Sequence, residues 1–315
     1  MNNSIVFLTY LARSGSTYLA SKLDTCAGVR VGIEARFIDG WTTAGFSIEN
    51  PVQLQQYISS LYTDEKFRKW KIPEEVLHEK FSSLKFPVQF STVLSVCLAE
   101  YFKDDVPLVQ IHKRGDYFKC VEQILKELPA AKFIFIDRDP RAIYNSQSKS
   151  LDSKTNLPMM RDIVHFVFEY KKEQQMLSNA SSFPCFYRCS YEQLLKNESD
   201  ELKKILQFLG VKNQYVALEK GSYFDAIPNA QKHLHEHVKS GVPVLKRIDG
   251  WKDELCPADR SFLNIALSAL IKEKGYLPDK KLCFKPSECK KLYISLARYY
   301  YERVKRSLFP SKDCP

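Results

Sequence analysis

Short unbroken apolar runs alternate with amphipathic stretches along most of the chain. Ile5-Val6-Phe7-Leu8 and Phe133-Ile134-Phe135-Ile136 carry no polar interruption, the pattern of strands covered on both faces of a parallel sheet. Residues 4–31 read as strand, loop, helix and the start of a second strand. Val88–Phe102 reads as a largely buried helix, Val106–His112 as a strand, and Tyr117–Leu128 as a helix stopped by Pro129. Lys132–Asp137 is another strand, and Pro140–Ser148 opens the next helix. Residues 150–158 are a polar loop, Met160–Leu177 is an amphipathic helix, and Phe186–Tyr187 lies in a short strand. Leu194–Leu209 is a helix closed by Gly210. Strand alternating with helix predicts α/β: one parallel sheet flanked by helices. Residues 211–250, rich in Gly and Pro, read as irregular, and a long loop inside a domain usually has a function.

The turn after the first strand carries the strongest chemistry. Leu11-Ala12-Arg13-Ser14-Gly15-Ser16-Thr17-Tyr18 places a Gly, three hydroxyls and an Arg where a strand gives way to a helix. Free N–H groups and the positive end of the helix dipole converge there, which suits a phosphate or sulfate. No Gly-Lys-Ser/Thr closes the turn, so it is not a Walker A loop. The plain alternative is a turn with Gly and Ser only because the chain bends. A second candidate follows Phe133–Ile136: Asp137-Arg138-Asp139-Pro140-Arg141-Ala142, then Ser146 about two turns into a helix. Arg138 and Ser146 suit a second phosphate. The alternative there is a surface Arg138–Asp139 pair with a solvated Ser146.

Taken together, these segments resemble the sulfotransferase family. Arg13–Thr17 resembles its 5′-phosphosulfate loop, and Arg138–Ala142 with Ser146 resembles its 3′-phosphate element. The resemblance continues through Tyr191–Leu195, Phe208-Leu209-Gly210, Trp251–Leu255 and Gly275-Tyr276, covering most of residues 5–277. It implies a P-loop-like sulfotransferase fold and the cosubstrate 3′-phosphoadenosine-5′-phosphosulfate (PAPS), with PAP as product and no metal. It further implies that Arg13, Ser14, Gly15, Ser16, Thr17, Tyr18, Arg138, Ser146 and Tyr191 bind the cosubstrate. Lys246 and Arg247, in the late loop before Trp251, join that set.

Val29–Ile38 and Ile111–Lys119 resemble the tyrosylprotein sulfotransferases more closely. That local resemblance implies Glu34 as base and Lys113 as transition-state cation, with Arg13 assisting. His112 is the rival base, although strand alternation points His112 and Lys113 to opposite faces. The plain reading of Glu34 is a salt bridge with Arg36. The expected reaction is sulfuryl transfer from PAPS to a hydroxyl of a glycan or small molecule. Peptide or protein tyrosine O-sulfation and N-sulfation of an amine remain open. A small-metabolite P-loop kinase and an inactive nucleotide-binding scaffold are the rivals from other classes.

Composition adjusts this picture only at the edges. The 315 residues are 44% hydrophobic and 27% charged, ample for a core, with a net charge of +10. Residues 281–315 hold nine Lys/Arg against three Asp/Glu, so +6 of that charge lies in the tail. The remainder is a modest excess for a protein binding a polyanionic nucleotide, and nothing calls for nucleic acid. The domain expectation is a catalytic domain over 1–280, with an acceptor-recognition insert at 42–107, and a basic helical tail over 281–315. On a helical wheel Leu292, Leu296, Tyr299, Tyr300 and Val304 cluster, with Lys291, Arg298 and Lys305 opposite. Docking on the domain and peripheral membrane contact are both compatible with that pattern. The nine cysteines form no CxxC pair and read as free thiols. No leader or membrane-spanning stretch is seen, so the expectation is a cytoplasmic protein. His233 and His237 share a helix face, but no Cys or carboxylate completes a metal site.

Overall fold

Five parallel strands form one sheet: β1 (Ser4–Tyr10), β2 (Val29–Gly32), β3 (Val109–Lys113), β4 (Lys132–Asp137) and β5 (Phe186–Ser190), in the order β2-β3-β1-β4-β5. They belong to a computed structural model that describes residues 4–42, 47–152, 155–211, 223, 244–279 and 286–308. Val6, Phe7, Leu8 and Phe133–Ile136 are wholly buried, as unbroken apolar runs require. From β1 the chain leaves toward β2, and from β4 toward β5. The carboxyl end of β1 therefore lies where connections diverge, the place where open α/β sheets bind ligands.

Backbone contacts divide the chain into two compact units, Met1–Asp137 with Asn179–Pro243, and Arg138–Ser178 with Val244–Pro315. The first holds the whole sheet. Its α1 (Ser16–Asp24) is tied to β2 by Asp24, whose buried carboxylate accepts from Val31 N at 2.9 Å. Between β2 and β3 lie α2 (Asp39–Thr42), α3 (Pro51–Thr63), α4 (Glu65–Arg68), α5 (Glu74–Ser82) and α6 (Phe90–Tyr101). Phe67 and Trp70 bury against Phe37, with ring centroids 5.9 and 5.7 Å away.

Several boundaries differ from the sequence expectation for identifiable reasons. β3 starts at Val109 because Val106 and Leu108 are exposed around Pro107. The single helix expected over Tyr117–Leu128 is a 3₁₀ turn, Gly115–Lys119, followed by α7 (Val121–Glu127). Thr9 fixes that turn, donating to Gly115 O at 2.5 Å and accepting from Phe118 N at 3.1 Å. Asn197 splits the helix expected over Leu194–Leu209 into α10 (Tyr191–Lys196) and α11 (Glu198–Leu209). Gly210 does close α11, at φ +81°.

In the second unit, α8 (Pro140–Lys149) is capped by Asp139, whose side chain accepts from Arg141 N at 2.9 Å. α9 (Ile163–Ala180) begins three residues later than expected because Asp162 caps Val164 N and His165 N. Arg138 and Asp139 are both buried, so the surface-pair reading fails. Asp139 is taken by Arg141, which grips it through Nε and Nη2 at 2.9 and 2.6 Å. Arg141 also donates to Asn264 Oδ1 at 2.7 Å and Leu277 O at 3.0 Å, and its guanidinium lies 4.1 Å from the Trp251 ring centroid. This one buried side chain joins α8, Trp251, Asn264 and Leu277. Arg141→Leu should cost about 3–5 kcal/mol, the penalty for leaving a buried charge without its partner. Denaturant unfolding checks this, and an unchanged midpoint refutes it.

Candidate active site

The residues after β1 build a narrow turn. Ser14 N donates to Leu11 O at 3.1 Å, and Leu19 N donates to Gly15 O at 3.2 Å to start α1. Arg13 and Gly15 have φ of +71° and +98°, so the chain reverses through the left-handed region. A Cβ at Gly15 would lie 2.2 Å from the Tyr191 ring, so only glycine fits beneath it. Ser14 is fully buried, and its Oγ has no hydrogen-bond partner among the described residues. The N-cap of α1 is Gly15, which has no side chain to cap the first turn. An orphaned buried hydroxyl, a glycine cradle and an uncapped helix N-terminus fit a phosphate-sized anion. Ser16 and Thr17 are buried in the first turn. Tyr18 is buried as well, and its hydroxyl donates to Glu198, which also pairs with Lys22 at 2.9 Å.

At the carboxyl ends of β1, β2 and β3 a carboxylate is enclosed by donors. Glu34 follows β2, and Lys113 is the last residue of β3. Its Nζ lies 2.6 Å from Glu34 Oε1. Tyr10, the last residue of β1, donates its hydroxyl to the same Oε1 and stands 3.2 Å from Lys113 Nζ. Lys66 of α4 pairs with Oε2. The side chains of Lys113, Glu34 and Lys66 are 4%, 17% and 27% exposed, so Lys66 is the cation on the solvent side. Trp70 Nε1 donates to Ile33 O at 3.2 Å and anchors the backbone beside Glu34. Burial pushes the Glu34 pKa up, but Lys113 and Lys66 outweigh it and hold the carboxyl well below the usual range. Burial and the neighbouring Glu34 charge keep the Tyr10 phenol protonated.

The salt-bridge reading of Glu34 is half right. The bridges exist, to Lys113 and Lys66, while Arg36 is exposed. Sequence reasoning missed Lys66, whose segment carries no motif. Its one trace is Phe67 and Trp70, whose burial fixes α4 against the sheet. His112 points away from this cluster. It has no exposed surface, packs 5.3 Å from Phe37 and 5.8 Å from Trp70 by ring centroids, and shares a hydrogen bond between Nδ1 and the Tyr117 hydroxyl. Burial first, then Arg114, pushes its pKa down to about 3.

The remaining candidates belong to the second unit. Arg138 is buried and donates from Nη2 to Arg247 O at 2.8 Å, and Ser146 is half-buried on α8. Lys246 and Arg247 lie in the one-turn helix Lys246–Asp249, the first exposed and the second half-buried. His233 and His237 lie outside the described residues. Among the described residues no cluster of His, Cys, Asp and Glu is arranged to hold a metal, and no helix is long and apolar enough to cross a membrane.

Comparisons with known proteins agree with this fold. The sulfotransferase domain from the curacin biosynthetic pathway matches with a TM-score of 0.60 at 16% identity, covering 89% of this chain and 99% of that one. The sulfotransferase domain from the Synechococcus PCC 7002 olefin synthase matches with a TM-score of 0.59 at 17% identity, covering 88% of this chain and 95% of that one. At such identities the likeness speaks for the fold. No curated protein matches the sequence significantly. A sequence profile described as the sulfotransferase family matches residues 6–214, about two thirds of the chain, and spans the turn, Glu34, Lys113 and Arg138. The chain belongs to the sulfotransferase family.

Proposed function

We propose that the protein transfers a sulfuryl group from PAPS to a hydroxyl of a glycan or small molecule. The observation that carries this reading is the Glu34–Lys113 pair at the ends of β2 and β3, joined by Tyr10 to the turn that follows β1. When bound, PAPS supplies a sulfuryl group already activated by its bond to the 5′-phosphate. Arg13, Ser14, Gly15, Ser16 and Thr17 hold the 5′ end, through backbone N–H groups, hydroxyls and one guanidinium. The unpartnered Ser14 Oγ and the Gly15 cradle support that assignment. Arg138 and Ser146 take the 3′-phosphate, where a guanidinium offers two parallel donors. Tyr18, Tyr191, Lys246 and Arg247 complete the nucleotide set.

Glu34 is the base. It accepts the hydrogen bond of the acceptor hydroxyl and then its proton, as the acceptor oxygen bonds to sulfur and the bridging S–O bond breaks. Lys113 and Arg13 neutralise the charge that the departing phosphate oxygen gains. Lys113 also reaches the Tyr10 hydroxyl, so moving its ammonium off Glu34 raises the basicity of the carboxylate. His112, sealed beneath the sheet end and bonded to Tyr117, has no comparable access. Residues 42–107 supply Lys66 and Trp70 to the surroundings of Glu34, which favours the insert as the acceptor-recognition segment.

Labelled PAPS offered with glycans, phenols and alcohols, tyrosine peptides and amines should label a hydroxyl acceptor. Label on tyrosine peptides or amines alone would replace the acceptor, and no PAP binding at all would remove the reading. Glu34→Gln should lower turnover by roughly two to four orders of magnitude while the thermal shift produced by PAP survives. Near-parental turnover in Glu34→Gln, with loss in His112→Ala, would move the base to His112. Arg138→Ala removes a charge-assisted contact worth about 1.5–3 kcal/mol, so subsaturating PAP should raise its Tm much less than it raises the parent's. Equal shifts would dismiss that placement. Lys66→Gln takes away a cation that favours ionised Glu34, leaving Lys113 and Tyr10 on the carboxylate. The Glu34 pKa should rise toward the ordinary range, and the acid limb of the kcat/KM profile should move to higher pH. A limb that stays put, or moves down, contradicts the pairing.

A further inference from the structure

The C-terminal helix, Pro286–Leu308, turns its apolar side the wrong way for a helix that only covers a core. It docks on α9 through a narrow seam. Tyr299 stacks on Phe168 with centroids 4.2 Å apart and planes 6° from parallel, and Ser295 Oγ donates to Asp162. Leu292, Ser295 and Tyr299 are half-buried there. On the opposite face Tyr293, Tyr301 and Val304 are 74%, 65% and 54% exposed, and Ile294, Leu296 and Tyr300 are exposed beside them. The wheel cluster of Leu292, Leu296, Tyr299, Tyr300 and Val304 is thus divided: Leu292 and Tyr299 lie in the seam, Tyr300 stands at its edge with its ring edge-on to Phe168 at 6.0 Å between centroids, and Leu296 and Val304 are exposed. Exposed Lys290 and Arg298 lie on the same turns.

We propose that this outward face rests on an anionic lipid surface. A continuous exposed patch of tyrosines and aliphatics marks an interaction site rather than ordinary surface. Charge decides among occupants. The segment 281–315 carries a net +6, which attracts anionic headgroups and would set two copies of the helix against each other. Tyrosine has an apolar ring and a polar tip, the chemistry of the headgroup boundary, and Lys and Arg keep their charges in water while their stems lie along apolar surface. The helix is too charged to span a bilayer, so it lies in the interface. An enzyme held this way acts on acceptors presented at that surface.

Co-sedimentation of the full chain tests this, using vesicles of phosphatidylcholine alone and vesicles about one quarter phosphatidylserine, at low and high salt. Tyr293→Ser/Tyr301→Ser/Val304→Ser alters only exposed positions and leaves Tyr299 in its seam. Lys290→Glu/Arg298→Glu probes charge separately. The parent should pellet with anionic vesicles at low salt, release at high salt and ignore neutral vesicles, and each variant should bind at least tenfold more weakly. No binding to anionic vesicles at low salt overturns the proposal, as does full binding by a folded triple variant. A concentration-dependent dimer of the parent, lost in the triple variant and without vesicle binding, would assign the face to a second copy instead. Should the triple variant fail to fold, the charge variant decides: undiminished binding refutes the proposal, and weakened binding upholds it.

Discussion

Everything around the proposed chemistry depends on keeping one carboxylate charged where water is scarce. Burial alone would protonate Glu34, and the protein prevents this with two ammonium groups and a phenol drawn from β3, α4 and β1. Desolvating a carboxylate is costly unless its partners are held in place. The sheet fixes two of them. β3 lies between β1 and β2, with Leu8 beside Lys113 and Gly32 beside His112, so the strand ends carrying Tyr10, Lys113 and Glu34 come out at one level. The third partner depends on aromatic packing instead: Phe67 and Trp70 bury under Phe37 and hold α4, hence Lys66, over the carboxylate.

The turn before α1 follows the opposite logic, since it keeps polar groups unsatisfied. Arg13 sits at φ +71° without being glycine, a conformation that costs about 1–3 kcal/mol and persists only where the surroundings impose it. Gly15 lies under Tyr191 with no room for a side chain, and Ser14 buries a hydroxyl with no partner. Strain, a tight cradle and an orphaned donor at one helix N-terminus have no structural benefit of their own. They make sense as preorganisation for an anion. In the second unit, two arginines three residues apart do different work. Arg141 is consumed by Asp139, Asn264, Leu277 and the Trp251 ring, so it is architecture. Arg138, at the exit of β4, is the one the sequence marks for a ligand.

What was legible in the sequence follows from which forces act locally. β4 matches its expected bounds, residue for residue, because an unbroken apolar run, Phe133–Ile136, is bounded by the charged Lys132 and Asp137. The parallel α/β sheet was legible from its apolar runs, whereas the turn, Glu34 and Lys113 were singled out by motifs resembling the sulfotransferases, and the fold brings Glu34 and Lys113 together. The split of Leu194–Leu209 at Asn197 was not, since Leu195 and Leu202 stand seven residues apart and keep one helical face in phase across the polar stretch between them. Neither was the 3₁₀ turn after β3, which is imposed by the Thr9 side chain more than a hundred residues away. Lys66 was invisible for the same reason: its partner lies 32 residues back, and only the folded insert brings them together. Arg36, adjacent in sequence, was the better local guess and points to solvent instead.

A carboxylate this well compensated is a weak proton acceptor while all three donors stay in place. That need not slow a transfer in which the acceptor hydroxyl becomes acidic only as its oxygen bonds to sulfur, because the base is needed late and not at the outset. In the proposed reaction ionised Glu34 first orients the hydroxyl, and its basicity is set by what competes for its donors. Lys113 is buried and shares itself between Glu34 and Tyr10, so a developing negative charge nearby draws on the same ammonium that weakens the base. In the proposed reaction, charge growing on the leaving side and basicity growing on Glu34 would in this way be coupled through a single side chain. Lys66 lies outside that exchange, on the solvent side of the carboxylate. In the proposed reaction its grip on Oε2 is the one an arriving acceptor would meet first, which is the reason for assigning acceptor selection to the insert rather than to the sheet.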